Sequence, residues 1–331
     1  MKLGRCKAAI ERGIARLMDG VSGRNLLAIV FMFVLPSLLA TPQPEQRLKS
    51  IGISVADLGN PYFVQLIEAA TARAEQLVGQ PVTMLIRSDA YDLQRQIQQL
   101  DYFIEQNVDL ILLTAADEVG IGPMVAKAQR AGIKVIAVDV KAAGADATIT
   151  TDNILAGSMA CEYLAKRMGY QGNLVIVNGV AVSSVVERVA GCKSAITAYP
   201  DIELLSDRLN GTGSIEGGME AMTYLMEAYP QIDGVFSIND PTGLGVLRAA
   251  TQAKRQDFIL ASVDGAPFAI KAIHSGTSLW VATAMQRPTL MANKAIEIGY
   301  QLLSGEAVEP HYILIPPELV TQDASQLGHD W

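Results

Sequence analysis

The sequence predicts an α/β protein with two doubly wound parallel-sheet lobes joined by a hinge of several strands. From about residue 48 onward, short β-branched runs alternate with segments of helical periodicity, which is typical of βαβ units and a parallel sheet. A second series of the same kind begins after residues 148–153, TITTDN, so two lobes are expected. No Pro/Gly/Ser-rich linker separates the two series, which favours short strand-like connections between the lobes.

The elements of each series follow from these patterns. In the first series we expect strands near 48–56, 82–87, 109–114 and 133–139, and helices near 61–78, 91–106 and 119–131. In the second series we expect strands near 173–178, 202–209, 233–237, 258–263 and 279–285. An amphipathic segment, residues 287–304, has Pro288 at its start and Gly305 at its end, which are the usual signals of a helix.

Several apolar runs end in a carboxylate, an amide or another small polar group. They follow an opening segment, residues 51–63, and are residues 135–140 (VIAVDV), 234–240 (GVFSIND), 259–265 (ILASVDG) and 281–288 (VATAMQRP). In open α/β sheets, ligands bind in the crevice outside the carboxyl ends of the strands, so these polar groups should converge on one cleft. The sequence therefore predicts a cleft for a small, hydroxyl-rich molecule.

The residue types at these positions suit polyol recognition. Sugar hydroxyls donate and accept hydrogen bonds, so planar polar groups bind them in pairs while an aromatic face covers the C–H surface. The candidates are Asn60, Asp139, Asn239, Asp264 and Gln286, with Tyr62 and Phe63 as the aromatic pair. Asn60 and Asp264 also suit a turn or a helix cap, an alternative that explains single residues better than the whole set.

The first forty residues have the order of a secretory signal peptide. Basic side chains between Lys2 and Arg24 precede an apolar run, residues 26–40, that ends at Ala40. The run is shorter than the roughly 20 apolar residues that a membrane span needs. Residues 1–40 are therefore predicted to be a signal peptide; an uncleaved anchor is the alternative, because the basic segment is long and Leu38 is larger than the cleavage pattern prefers.

Charge and cysteine content restrict the partners and the compartment. Residues 1–40 carry six basic and two acidic side chains, so their removal would change the net charge from −8 to −12. An acidic surface argues against nucleic acid and anionic membranes as partners. Export permits a disulfide between Cys161 and Cys192, but their spacing leaves open two half-buried thiols on separate helices.

Catalytic and cofactor motifs are weak. Residues 211–218, GTGSIEGG, have GxGxxxG spacing, and Glu216 would place negative charge where a pyrophosphate should bind. Neither Ser183 nor Ser184 lies in a GxSxG motif, and the chain has three histidines and no CxxC or HExxH motif. We therefore expect a binding protein without cofactor or metal, and not an enzyme.

Five segments resemble one family. They are residues 59–70 (GNPYFVQLIEAA), 147–153 (ATITTDN), 236–249 (FSINDPTGLGVLRA), 263–267 (VDGAP) and 284–288 (AMQRP). From residue 46 onward the chain resembles the type I periplasmic sugar-binding proteins of the ribose-binding type, which deliver sugars to ABC importers. The resemblance implies a monomer of the periplasm that closes around its ligand at a hinge and docks on a membrane permease.

The resemblance also implies lobe boundaries and residue roles. The amino-terminal lobe would comprise residues 46–151 and 287–312, and the carboxy-terminal lobe residues 152–286 and 313–331. Arg188 matches a family arginine that reaches the ligand, although a solvent-exposed helix arginine is the alternative. The other family positions match the polar and aromatic candidates already named.

Four departures bear on the ligand. Thr114, Val140, Thr212 and Val186 stand where ribose binders have Asn, Arg, an aromatic residue and a second Arg. Ribose hydroxyls would then be left unpaired, at about 1–3 kcal/mol each, so another sugar, a polyol or a deoxy or otherwise less polar analogue is expected. A different role is a ligand sensor that docks on a membrane receptor or kinase. The effector domain of a sugar-responsive repressor would need a helix-turn-helix, where this chain has an export-like segment.

Overall fold

The structure, a computed structural model, describes residues 48–322, which form two α/β lobes with one parallel-dominated sheet each. The predicted signal segment, residues 1–40, lies outside the described residues. The first run of elements is β1 Ser50–Val55, α1 Pro61–Val78, β2 Thr83–Ser88, α2 Leu93–Glu105, β3 Leu110–Leu113, α3 Gly122–Arg130, β4 Lys134–Val138 and β5 Ala147–Thr151.

The chain continues with elements of the second lobe and then returns to the first. They are α4 Asn153–Arg167, β6 Gly172–Val177, α5 Ser183–Ile196, β7 Ile202–Ser206, α6 Ile215–Ala228, β8 Gly234–Ser237, α7 Asp240–Ala253, β9 Ile259–Asp264, α8 Pro267–His274, β10 Trp280–Met285, α9 Pro288–Leu303, β11 Tyr312–Ile315 and β12 Glu318–Thr321. The predicted fold class is confirmed.

In the described part of the chain, both sheets have six strands. Their orders are β11-β5-β4-β3-β1-β2 in the first lobe and β12-β10-β9-β8-β6-β7 in the second, and only β12 runs antiparallel to its neighbour, β10. Central strands such as β3 are buried along their whole length because helices cover both faces of a parallel sheet. This arrangement places the carboxyl ends of β1, β4, β8 and β9 where their polar side chains can meet.

Within residues 48–322 the chain crosses between the lobes three times. It leaves the first sheet after Thr151, returns after Met285 and leaves again after Ile315. The third crossing lies later than the boundary at residue 312, because β11 pairs with β5 from Tyr312 opposite Thr148 to Ile315 opposite Thr151. Pro316 and Pro317 follow directly, and their missing amide hydrogens end the strand.

Two helices of the second lobe, α4 and α5, pack unusually closely. A Cβ atom at Gly157 would overlap the carbonyl oxygen of Arg188, and one at Gly191 would overlap that of Ile154. A disulfide joins Cys161 to Cys192, whose Cα atoms are 5.1 Å apart and whose side chains are fully buried. The two cysteines form the disulfide that export permits and are not free thiols, although they do lie on separate helices.

Replacing Gly157 with Ala should destabilise the protein, because the new methyl group has no room against the backbone of α5. Overpacking of this kind costs about 1–3 kcal/mol in free energy of unfolding. Urea unfolding measures the loss. The matched control is Ser194→Ala on the exposed side of α5, which should stay within about 0.5 kcal/mol of the wild type. Equal stability of both variants would contradict the close contact.

Candidate functional site

A cavity between the lobes is lined by all eight side chains that the sequence indicated. None of them is more than 6 % exposed: they are Asn60, Tyr62, Phe63, Asp139, Arg188, Asn239, Asp264 and Gln286. The space outside the protein atoms amounts to about 430 Å³, counting the gap at its mouth. Residues more than 200 positions apart in the chain therefore share one enclosed site.

The first lobe contributes side chains from the start of α1 and the end of β4. Asn60 caps α1, since its Oδ1 accepts a hydrogen bond from the amide of Tyr62 at 3.0 Å. The predicted cap role thus coexists with a place in the cavity. The Tyr62 hydroxyl donates to Oδ1 of Asp139 at 3.1 Å, and the rings of Tyr62 and Phe63 meet edge to face, 5.2 Å between centroids.

The second lobe contributes groups from the ends of β8, β9 and β10. Asn239 caps α7 with its Oδ1, and its Nδ2 donates to the carbonyl oxygen of Gly213 at 3.0 Å. Gln286, which follows β10 in the second crossing, donates from Nε2 to Asp264 at 2.8 Å and accepts from Thr151 Oγ1 at 2.6 Å. Because Thr151 ends β5, this pair links the first and second crossings at the back of the cavity.

Arg188 lies at the centre of the site, and the alternative of a solvent-exposed helix arginine is wrong, since it is 4 % exposed. Its Nε donates to Oδ1 of Asn153 at 2.8 Å and its Nη1 to the carbonyl oxygen of Ile238 at 2.9 Å. The guanidinium also faces a carboxylate from each lobe, with Nη2 4.0 Å from Asp139 and Nη1 3.6 Å from Asp264. One cation therefore serves two buried carboxylates.

Burial governs the titration of these carboxylates. Loss of hydration raises the pKa of Asp139, against the opposing effects of Arg188 and of the Tyr62 hydrogen bond. Burial likewise raises the pKa of Asp264 to about 6, although Arg188 and Gln286 lower it. Burial, followed by the charge of Asp139, also raises the pKa of the Tyr62 hydroxyl. Hydrogen-bond donors brought by a ligand would stabilise both carboxylates in their charged form.

The backbone of both site aspartates is unusual. Asp139 has φ 69° and Asp264 has φ 133°, in a region that residues other than glycine seldom adopt. Outliers of this kind concentrate at binding and catalytic sites, where surrounding structure holds them in place. The two residues are thus set by the ends of β4 and β9 to present their carboxylates to the cavity.

Tyr91 lines the cavity and was not predicted. It follows β2 in a turn with positive φ at Ala90 and Tyr91, and its amide donates to Oδ1 of Asp89 at 2.8 Å. Its hydroxyl reaches across to the second lobe, 3.2 Å from the position that a Cβ of Gly213 would occupy. The sequence feature that could have indicated Tyr91 as a site residue is its position just after the carboxyl end of β2.

Two of the four departures from the ribose binders do not concern the cavity. Val186 is 53 % exposed and Thr212 is exposed as well, whereas their neighbours Val185 and Gly213 line the site. On a helix each residue turns by about 100°, so Val185 shares a face with Arg188 three residues later and Val186 does not. Thr114 and Val140 do line the cavity.

The fold and the cavity define a two-lobed binding protein of the periplasmic type. Residues 51–307 match the family described as periplasmic binding protein domain, and the chain belongs to this family. The predicted resemblance is confirmed. The family is one of binding proteins. In residues 48–322 we find no helix that combines the length and the apolar character needed to cross a membrane.

Individual relatives are similar over nearly their whole length. The ribose import binding protein RbsB of Escherichia coli K12 is 28 % identical over 292 residues, 87 % of this chain and 96 % of that protein. A xylitol-binding protein of Mycolicibacterium smegmatis is 28 % identical over 83 % of this chain and 78 % of its own length. A solved ABC transporter periplasmic solute binding protein of Actinobacillus succinogenes, with bound D-allose, shares the fold at a TM-score of 0.76 and 24 % identity, covering 83 % of this chain and 98 % of that chain.

The buried Asp89 should make stability depend on pH. Burial raises its pKa from 3.8 to about 6, so between pH 4 and 6 the folded protein binds a proton that the unfolded chain does not. The free energy of unfolding should therefore rise by about 1 kcal/mol on this account when the pH falls from 7 to 5. Urea unfolding of the wild type and of Asp89→Asn at both pH values measures it. A stability difference between the two proteins that is the same at pH 5 and 7 would contradict the assignment.

Proposed function

We propose that this protein is a periplasmic solute-binding protein that captures a sugar or polyol between its lobes and delivers it to an ABC transporter permease. The observation that carries the proposal is the convergence of six buried polar side chains from both lobes and the hinge on one cavity, with the Arg188 guanidinium between two carboxylates. It acts as a monomer, and residues 1–40 direct its export.

The chemistry of the lining suits hydroxyl groups. Carboxylates accept from hydroxyls, Arg188 donates to them, and the amides of Asn60 and Gln286 can do both. Phe63 and Tyr62 supply aromatic surface for the C–H groups of a sugar ring. The names of two relatives, a ribose import binding protein and a xylitol-binding protein, support a sugar or polyol as the ligand class.

The proposed cycle is hinge closure, and contacts across the lobes describe its closed state. Lys141, which follows β4, pairs with Glu187 on α5, and its amide donates to Ser183 Oγ at 2.9 Å. A ligand held by Asp139 on one side and Asp264 on the other contacts both lobes only when they are closed. That difference in affinity shifts the equilibrium toward the closed form, which the permease then recognises.

Binding without turnover fits the composition of the cavity. Ser184 lines it, but no histidine does among the described residues, so the hydroxyl would lack the base that activates a serine nucleophile. The two aspartates already hydrogen-bond Tyr62 and Gln286, as ligand-holding groups do. We assign them to recognition.

Thermal unfolding against a panel of pentoses, hexoses, polyols and cyclitols tests the proposal. A ligand at a hundred times its dissociation constant should add about 2.7 kcal/mol to the free energy of unfolding and raise the midpoint. Asp264→Ala should lose the shift because it removes a carboxylate from the cavity. Asp201→Ala, an exposed aspartate at the start of β7, should keep it. No shift with any compound, or a shift that survives Asp264→Ala, would contradict the proposed site.

A further inference from the structure

Part of the cavity lining is aliphatic. The aliphatic wall consists of Val140, which follows β4, Val180 and Val182 in the loop after β6, Val185 on α5, and Ile238 after β8. Four of these side chains are buried, and Val180 is half-buried. Such a surface has nothing to offer a hydroxyl group.

The members of the aliphatic wall pack into one part of the core. Four of its members belong to a single buried cluster, and Val180 packs against that cluster. Ile238 and Val185 come within 3.0 and 3.4 Å of the same point, the position of a Cβ on Gly179. The bond from the Lys141 amide to Ser183 joins the stretch after β4 to the start of α5. The wall therefore has members from both lobes.

Several backbone groups along the aliphatic wall already have hydrogen-bond partners. The carbonyl oxygen of Val180 accepts from the amide of Val182, just before α5, at 2.8 Å, and that of Val182 accepts from the amide of Val186, in the first turn of α5, at 3.0 Å. The carbonyl oxygen of Ile238 accepts from Arg188, and the amide of Val140 donates to Val138. Ser184, which precedes Val185 on α5, also lines the cavity. A ligand hydroxyl directed at the wall would lose its water without gaining a partner.

We infer that the ligand is a deoxy sugar, a monosaccharide that places a methyl or methylene group against the aliphatic wall and its remaining hydroxyls on the polar side chains. This inference rests on the proposed function and narrows it. The wall supplies contact for one apolar carbon, while Asp139, Arg188 and Asp264 supply the bonds that a fully apolar ligand could not use. A hydrophobic pocket discriminates against an added hydroxyl by a factor of about ten to a hundred.

The inference is tested by calorimetric titration of the protein as purified after export. The titrants are pairs of sugars whose members differ by one oxygen atom. The pairs are L-fucose with L-galactose, D-fucose with D-galactose, L-rhamnose with L-mannose, and 2-deoxy-D-ribose with D-ribose. We expect the deoxy member of at least one pair to bind at least about tenfold more tightly than its partner. If sugars bind but the hydroxylated member is equal or tighter in every pair, the inference fails and the proposed function stands. If no sugar or polyol binds, both fail.

Matched variants in α5 and in the loop before it test whether the aliphatic wall causes the preference for the deoxy sugar. Val185→Thr and Val182→Thr keep the side-chain shape and add a hydroxyl to the wall, so each should reduce the ratio of the two affinities severalfold. Val186→Thr makes the same change on the exposed side of α5 and should leave the ratio unchanged. Thermal midpoints of the free variants check that each is folded. A preference for the deoxy member that persists in both wall variants would overturn the assignment to the wall.

Discussion

The site depends on a single buried guanidinium. Burying an arginine is costly unless hydrogen bonds and opposite charges compensate the lost hydration. Arg188 donates its hydrogen bonds to two uncharged oxygens, on Asn153 and Ile238, and faces the carboxylates of Asp139 and Asp264 at a longer range. Its position is thus held by neutral groups, and its charge lowers the pKa of both carboxylates against the effect of burial, which raises it.

The position of Arg188 in turn depends on how α4 and α5 meet. Asn153 begins α4, and the backbone of Arg188 touches Gly157 one turn further along. Only glycine allows that approach, because any Cβ would collide with the carbonyl oxygen. The packing of α4 against α5 therefore decides where the central cation of the site lies.

The sequence was sufficient for features that follow from the sheet. Asn239 and Asp264 were identifiable because the ends of parallel strands meet at one edge, whatever the details of the loops. Tyr91 was not identifiable, because its orientation depends on two consecutive residues with a left-handed backbone conformation, and neither of them is a glycine. Which of Val185 and Val186 faces the cavity depends on the rotation of α5 about its axis. The pairing of Cys161 with Cys192 depends on the distance between their Cα atoms, which their spacing along the chain does not give.

The covalent cross-link between Cys161 and Cys192 lies wholly within the second lobe, because α4 and α5 both pack there. It closes a loop of that lobe and spans none of the three crossings. The disulfide therefore stiffens the helix pair that carries Arg188 without joining the two lobes. In the proposed cycle we expect α4 and α5 to move as one body, so that the surroundings of the arginine within its own lobe are the same before and after closure.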